Sequence, residues 1–342
     1  STHCISSAAS DVYKRQIFCY PVEFFPAMYY NNGMAILGRH GRFDMRRGAG
    51  MDKNRQSKRM SEILGFSLLF SMALVWLCAL CLNYAELESE NLYLLAALLL
   101  KLPTFGLPVL FVRLSAAKLE IPMPRLCPGA RGSKSFLICV SSVGVIVLIQ
   151  ILYSAVFPSA IVDMGVSAAT APLGYALMLA AYVVLPAVLE ELFFRGTVMR
   201  ALTVHRKLLA LMLSALSFAL MHFSIERFPI AFFCGLILGI AYLSTGSLGC
   251  AIFVHLFCNA VWYAAEIART LFASYYPTFM RIVFAACVLM IAAGLPMLKT
   301  TLGTISGEDD EQAVPSAYFW SFPYVVFLIT AALIQIFWRG LE

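Results

Sequence analysis

The chain has 342 residues, of which 61% are hydrophobic and 13% charged, with a mean hydropathy of +0.81 and a net charge of +6. A soluble domain carries about 25% charged residues, so this composition excludes one and points to a protein that crosses a membrane several times. The modest positive charge calls for no nucleic-acid partner, because its lysines and arginines flank apolar runs, where contact with anionic lipid headgroups accounts for them.

Residues 1–50 differ from the rest. "STHCISSAASDVYKRQ" is polar, lacks the apolar region of a signal peptide and resembles translated adaptor sequence. No helical or strand period follows before Gly50, and "MDKNRQSKRM" then reads as a normal basic start ahead of a first membrane helix. Residues 1–50 are therefore expected to be a non-native or disordered extension, with Met51 as the true start and 51–342 as the membrane domain.

The hydrocarbon core of a bilayer is ~30 Å thick, which a helix of about 20 apolar residues spans. Runs of that kind are Ile63–Tyr84, Leu92–Val112, Ser135–Phe157, Pro172–Phe194, Leu208–Phe223, Phe228–Leu243, Leu248–Ile267, Ile282–Leu298 and Tyr318–Trp338. None has the alternating pattern of a membrane barrel, so the expected fold is all-α, a polytopic bundle of about eight or nine transmembrane helices. Lys53, Arg55, Lys58 and Arg59 precede the first run, Lys118, Arg125, Arg131 and Lys134 lie between the second and third, and Arg195, Arg200, Arg206 and Lys207 follow the fourth. The alternate loops carry no Lys or Arg, which predicts an N-terminus inside the cell through the first five spans of a multi-pass protein, with a bacterial cytoplasmic membrane as its setting.

Most of the ten cysteines lie in apolar runs, where they act as small hydrophobes, and Cys78-x-x-Cys81 has no second pair at zinc-site spacing. "GEDDEQ" at 307–312 reads as a solvated loop.

The fourth run ends in "AVLEELFFRG", with adjacent carboxylates and an arginine at a depth where charge is costly. Glu191 and Arg195 are i and i+4 on a helix and can pair, whereas Glu190 is rotated about 100° from Glu191 and is left spare. A spare carboxylate in a low-dielectric site can serve as a general base on water. "FALMH" sets Phe218 beside His222, and "HLFCN" sets His255 beside Asn259. At ~1.5 Å per residue, Glu190 is about 15 Å from Arg200, His222 about 22 Å from Lys207 and His255 about 14 Å from Gly246, so the polar heads can share one level inside the bilayer.

E-E-x-x-x-R, F-x-x-x-H and H-x-x-x-N in this order on successive membrane helices resemble the signature of the CPBP (Abi) family, the type II CAAX prenyl endopeptidases and their bacterial relatives linked to bacteriocin processing or immunity. "STGSLGCAIFVHLFCNA" adds to the likeness, which covers roughly Pro172–Ala260. The resemblance implies an intramembrane endopeptidase acting on a membrane-associated peptide or protein, with Glu190 and His222 activating water, His255 and Asn259 stabilising the oxyanion, and Glu191, Arg195 and Phe218 supporting the site. The family is often labelled metalloprotease, and Glu190, His222 and His255 would then be the ligands of a divalent metal such as zinc, although no H-E-x-x-H is present. A metal-free, glutamate-activated water is the reading adopted. The rival from another class is a non-catalytic membrane protein, such as a bacteriocin-immunity factor or transporter-like partner, that keeps these residues as helix-bundling contacts.

Overall fold

The computed structural model describes residues 53–85, 87, 89–119, 121, 132–158, 172–203, 205–297, 301, 303 and 319–337. The N-terminal extension and the acidic loop at 307–312 lie outside the described residues. Among the described residues there are nine helices and no strand, which makes the chain an all-α multi-pass membrane bundle. The helices are α1 Lys53–Tyr84, α2 Glu90–Lys118, α3 Ser133–Val156, α4 Pro172–Leu202, α5 Lys207–Leu220, α6 Phe228–Thr245, α7 Leu248–Leu271, α8 Tyr276–Gly294 and α9 Phe322–Phe337. Seven are long and apolar enough to cross a membrane, and α5 and α9 are shorter.

Two predicted ends move. The fourth run was expected to stop at Phe194 with Arg195 as a flanking charge, yet α4 continues to Leu202 and Arg195 is completely buried within it. The helix continues because the guanidinium finds partners inside the protein. The fifth run was expected to stay helical through His222, yet α5 stops at Leu220 and His222 lies in a turn, followed by Phe223 at φ 48°.

At several irregularities at membrane depth a side chain satisfies a backbone carbonyl, as an apolar solvent demands. Pro108 in α2 has no N–H to give the carbonyl of Thr104, and the hydroxyl of Ser71 on α1 donates to that oxygen at 2.7 Å instead. Two π-helical turns, Ala180–Val184 and Phe194–Met199, bracket the Glu190–Glu191 pair in α4. The first precedes Pro186, and turns of this kind recur at functional sites. At the end of α5, Gln335 of α9 donates to the carbonyl of Leu220 at 3.0 Å, and the His222 ring closes on the carbonyl of Phe218 at 2.9 Å. Both carbonyls lie in the last turn, where a helix end leaves acceptors short of partners, and that of Leu220 also accepts from the N–H of Phe223 at 3.3 Å.

Three apolar cores form around these breaks. The largest joins α1, α2, the second half of α4, α5, α6 and α9. A second joins α2, the first half of α4 and the later turns of α7, and a third packs α3 against α6, α7 and α8. Cys139, Cys234, Cys258 and Cys287 belong to the third as free thiols, the apolar role expected of them.

Helices α1 and α9 approach closely at Gly65. A Cβ built on Gly65 would lie 2.6 Å from the carbonyl carbon of Pro323 and also meet the backbone nitrogen of Tyr324. Gly65→Ala is therefore predicted to push α9 off α1 and to destabilise the protein by roughly 1–3 kcal/mol, the usual cost of overpacking. Thermal unfolding in detergent measures this, and an unchanged midpoint would contradict the close approach.

Candidate active site

The site is assembled from α4, α5 with the turn that follows it, α6 and α7. Arg195 is 0% exposed, and its Nη1 donates to Oε1 of Glu191 at 2.7 Å, the i, i+4 pair expected from the sequence. Its Nη2 donates to the backbone carbonyl of Gly235 on α6 at 2.8 Å, and its guanidinium carbon lies 4.7 Å from the centroid of the Phe218 ring. Carboxylate, carbonyl and π face together offset the burial of this cation. Gly235 allows the approach: an added Cβ there would come within 3.1 Å of the Ala215 backbone and 3.3 Å of Phe218.

Glu191 has a second task that the sequence spacing did not show. Its Oε1 also contacts Nδ1 of His255 at 2.9 Å. A carboxylate held by arginine accepts only, so Nδ1 carries the proton and donates, and Nε2 is turned toward Glu190. His255 Nε2 lies 3.9 Å from Oε2 of Glu190, too far for a direct hydrogen bond and wide enough for a bridging group. The Phe218 ring lies 4.9 Å from that of His222 and 6.1 Å from that of His255, which wedges it between the two imidazoles.

His222 is fixed by similar logic. A carbonyl oxygen only accepts, so Nδ1 donates to Phe218 and the Nε2 of a neutral ring carries the lone pair. Glu190, Phe218, His222, His255 and Asn259 all line one cavity of about 450 Å³, a volume that suits a small ligand or a few residues of a peptide. The same cavity is also lined by Tyr153, Arg227, Trp262 and the Glu266–Arg269 pair, whose closest contact is 2.6 Å.

All seven residues named from the motifs thus converge. Sequence reasoning passed over Lys101, 3% exposed in α2 with its ammonium 5.6 Å from the ring centroid of Tyr182, itself a cavity residue. It also passed over Gln150 in α3 and Gln335 in α9. A lone lysine or amide inside an apolar run was the available signal for all three. Among the described residues, no three His, Cys, Asp or Glu side chains are grouped so as to hold a metal ion, so Glu190, His222 and His255 as placed do not form the zinc shell of the alternative reading.

Replacing Glu191 by Gln strands the buried Arg195 charge and is predicted to cost about 3–5 kcal/mol, as breaking a buried pair from one side usually does. Glu190→Gln leaves that pair intact and should unfold close to the wild-type temperature. The reverse order in thermal unfolding would exchange the two roles.

Residues 172–261 match the family model described as type II CAAX prenyl endopeptidase Rce1-like. No curated protein and no solved structure matches the chain. The matched segment runs from the start of α4 through the middle of α7 and includes every motif residue, so over these residues the chain is similar to the family that the motifs resemble.

Proposed function

We propose that this chain, whose residues 172–261 form an Rce1-like domain, hydrolyses a peptide bond in a membrane-associated peptide or protein by means of a water activated between Glu190 and His222. The observation that carries the reading is the division of labour between adjacent carboxylates: Glu191 is consumed by Arg195 and His255, while Glu190 faces the cavity with no hydrogen bond among the described residues.

The steps follow from the donor and acceptor assignments. Water in the cavity attacks the scissile carbonyl carbon and gives up a proton to the Glu190 carboxylate, with the lone pair on His222 Nε2 as its second acceptor. Negative charge then develops on the carbonyl oxygen, where the Asn259 amide and His255 Nε2 are the donors at hand. Because His255 already donates through Nδ1 to Glu191, it can donate through Nε2 only as an imidazolium. Before the attack Glu190, Glu191, Arg195 and that imidazolium sum to zero charge, and after it the oxyanion takes the place of the protonated Glu190 in the same balance, an acceptable state for a site at bilayer depth. Collapse of the tetrahedral species breaks the C–N bond, and the proton held on Glu190 passes to the leaving amine. No step runs through a metal ion.

Two outcomes test the reading with purified protein and a lipidated peptide. Glu190→Gln is expected to abolish cleavage while the protein stays folded. Asn259→Ala is expected to slow turnover by ~10²–10³, the usual loss for one oxyanion donor. Full activity in either variant would remove that residue from the chemistry.

A further inference from the structure

The cavity wall contains one polar contact that the proposed chemistry does not use. Trp262 of α7 donates its indole N–H to Oε1 of Gln150 on α3 at 2.6 Å, and both residues line the cavity. An indole nitrogen only donates, so the atom facing it must be the amide oxygen, and the amide nitrogen is turned away with its two N–H bonds. Among the described residues no group accepts from that nitrogen, nor is it one of the polar atoms sealed in the interior. Trp262 therefore fixes the orientation of a cavity-lining amide whose two donors meet no acceptor among the described residues.

The position is specific. His255, Asn259 and Trp262 stand at i, i+4 and i+7 along α7 and share the cavity-lining stripe. At ~1.5 Å per residue, Trp262 lies about 4.5 Å beyond Asn259 along the axis and about 10 Å beyond His255. An extended peptide advances about 3.3 Å per residue.

We propose that Gln150, aimed by Trp262, is a substrate-positioning residue that donates to a backbone carbonyl of the bound peptide one to three residues from the scissile bond. The inference rests on the peptidase reading above and adds a substrate class to it. A helical segment spends its carbonyls on its own ladder, so a donor of this kind selects a peptide that is extended across the cavity and is indifferent to its side chains.

The test is a binding measurement on the full-length protein in detergent, with Glu190→Gln to stop turnover and a fluorescent farnesylated peptide as probe. Successive backbone carbonyls of the probe are replaced by thioamides, which accept hydrogen bonds more weakly. One position in the expected window should weaken binding roughly two- to tenfold, the scale of a single hydrogen bond. Adding Gln150→Met should weaken the parent probe by a similar factor and erase the effect of that one thioamide, which a merely structural role would not do. Gln150→Glu keeps the acceptor for Trp262 without the N–H donors and should behave like Gln150→Met, so it serves if the latter fails to fold. Unchanged affinity in both variants, or equal thioamide losses with and without Gln150, overturns the proposal. If the chain with Glu190 intact still cleaves the parent probe, the peptidase reading survives that result; if it neither binds nor cleaves it, both fall.

Discussion

One oxygen organises the site. Oε1 of Glu191 accepts from Arg195 at 2.7 Å and from His255 at 2.9 Å, and Glu191 and Arg195 are both 0% exposed. Such a charge pair is not a large source of stability, because desolvation takes back most of the Coulomb gain. What it supplies is position. It ties α4 to α7 through His255 and, through Arg195, to the α6 backbone at Gly235, so three helices that carry site residues cannot shift independently. It also fixes which nitrogen of His255 faces the cavity, a requirement on which any role for that ring depends.

The same economy governs the helix breaks. A helix of 14 residues is about 21 Å long at ~1.5 Å per residue, short of the ~30 Å apolar core, so α5 must end within that depth and its last carbonyls need partners from the protein. The His222 ring and the Gln335 amide supply them. His222 is thus held at the cavity because it helps to cap the helix that carries it there, and α9, remote from the motifs in sequence, contributes through Gln335 and through its contact with Gly65 on α1. The π-helical turns on either side of Glu190 and Glu191 alter the register of α4 where both carboxylates project.

The fold was legible because the signal for a membrane helix is additive over some twenty residues, and all nine runs became helices. Charges within a run were legible in pairs along one helix, hence Glu191–Arg195 was foreseen. Contacts between helices were not, because periodicity along one element says nothing about which neighbour it faces; His255 on Glu191, Arg195 on Gly235 and Trp262 on Gln150 are all of this kind. Arg195 was also counted among the flanking charges that set orientation, since a sequence does not distinguish a charge that has a buried partner from one that marks an interface.

The pattern of satisfied and spare groups bears on whether these residues are machinery or glue. A network kept only to bind helices together gains most when every donor meets an acceptor, because each unmet group in a low-dielectric interior costs more than a made bond returns. Both terminal nitrogens of Arg195, Oε1 of Glu191 and the Nδ1 atoms of both histidines follow that rule, while Nε of Arg195 and Oε2 of Glu191 are buried without a partner among the described residues. Glu190, separated from His255 Nε2 by 3.9 Å, does not, nor does the Gln150 amide nitrogen, and these groups belong to residues that line the cavity together with Asn259. Capacity left open on residues that line one cavity, beside a charge pair whose position is fixed by three helices, is what a site needs if its remaining hydrogen bonds are to be made by water and a peptide.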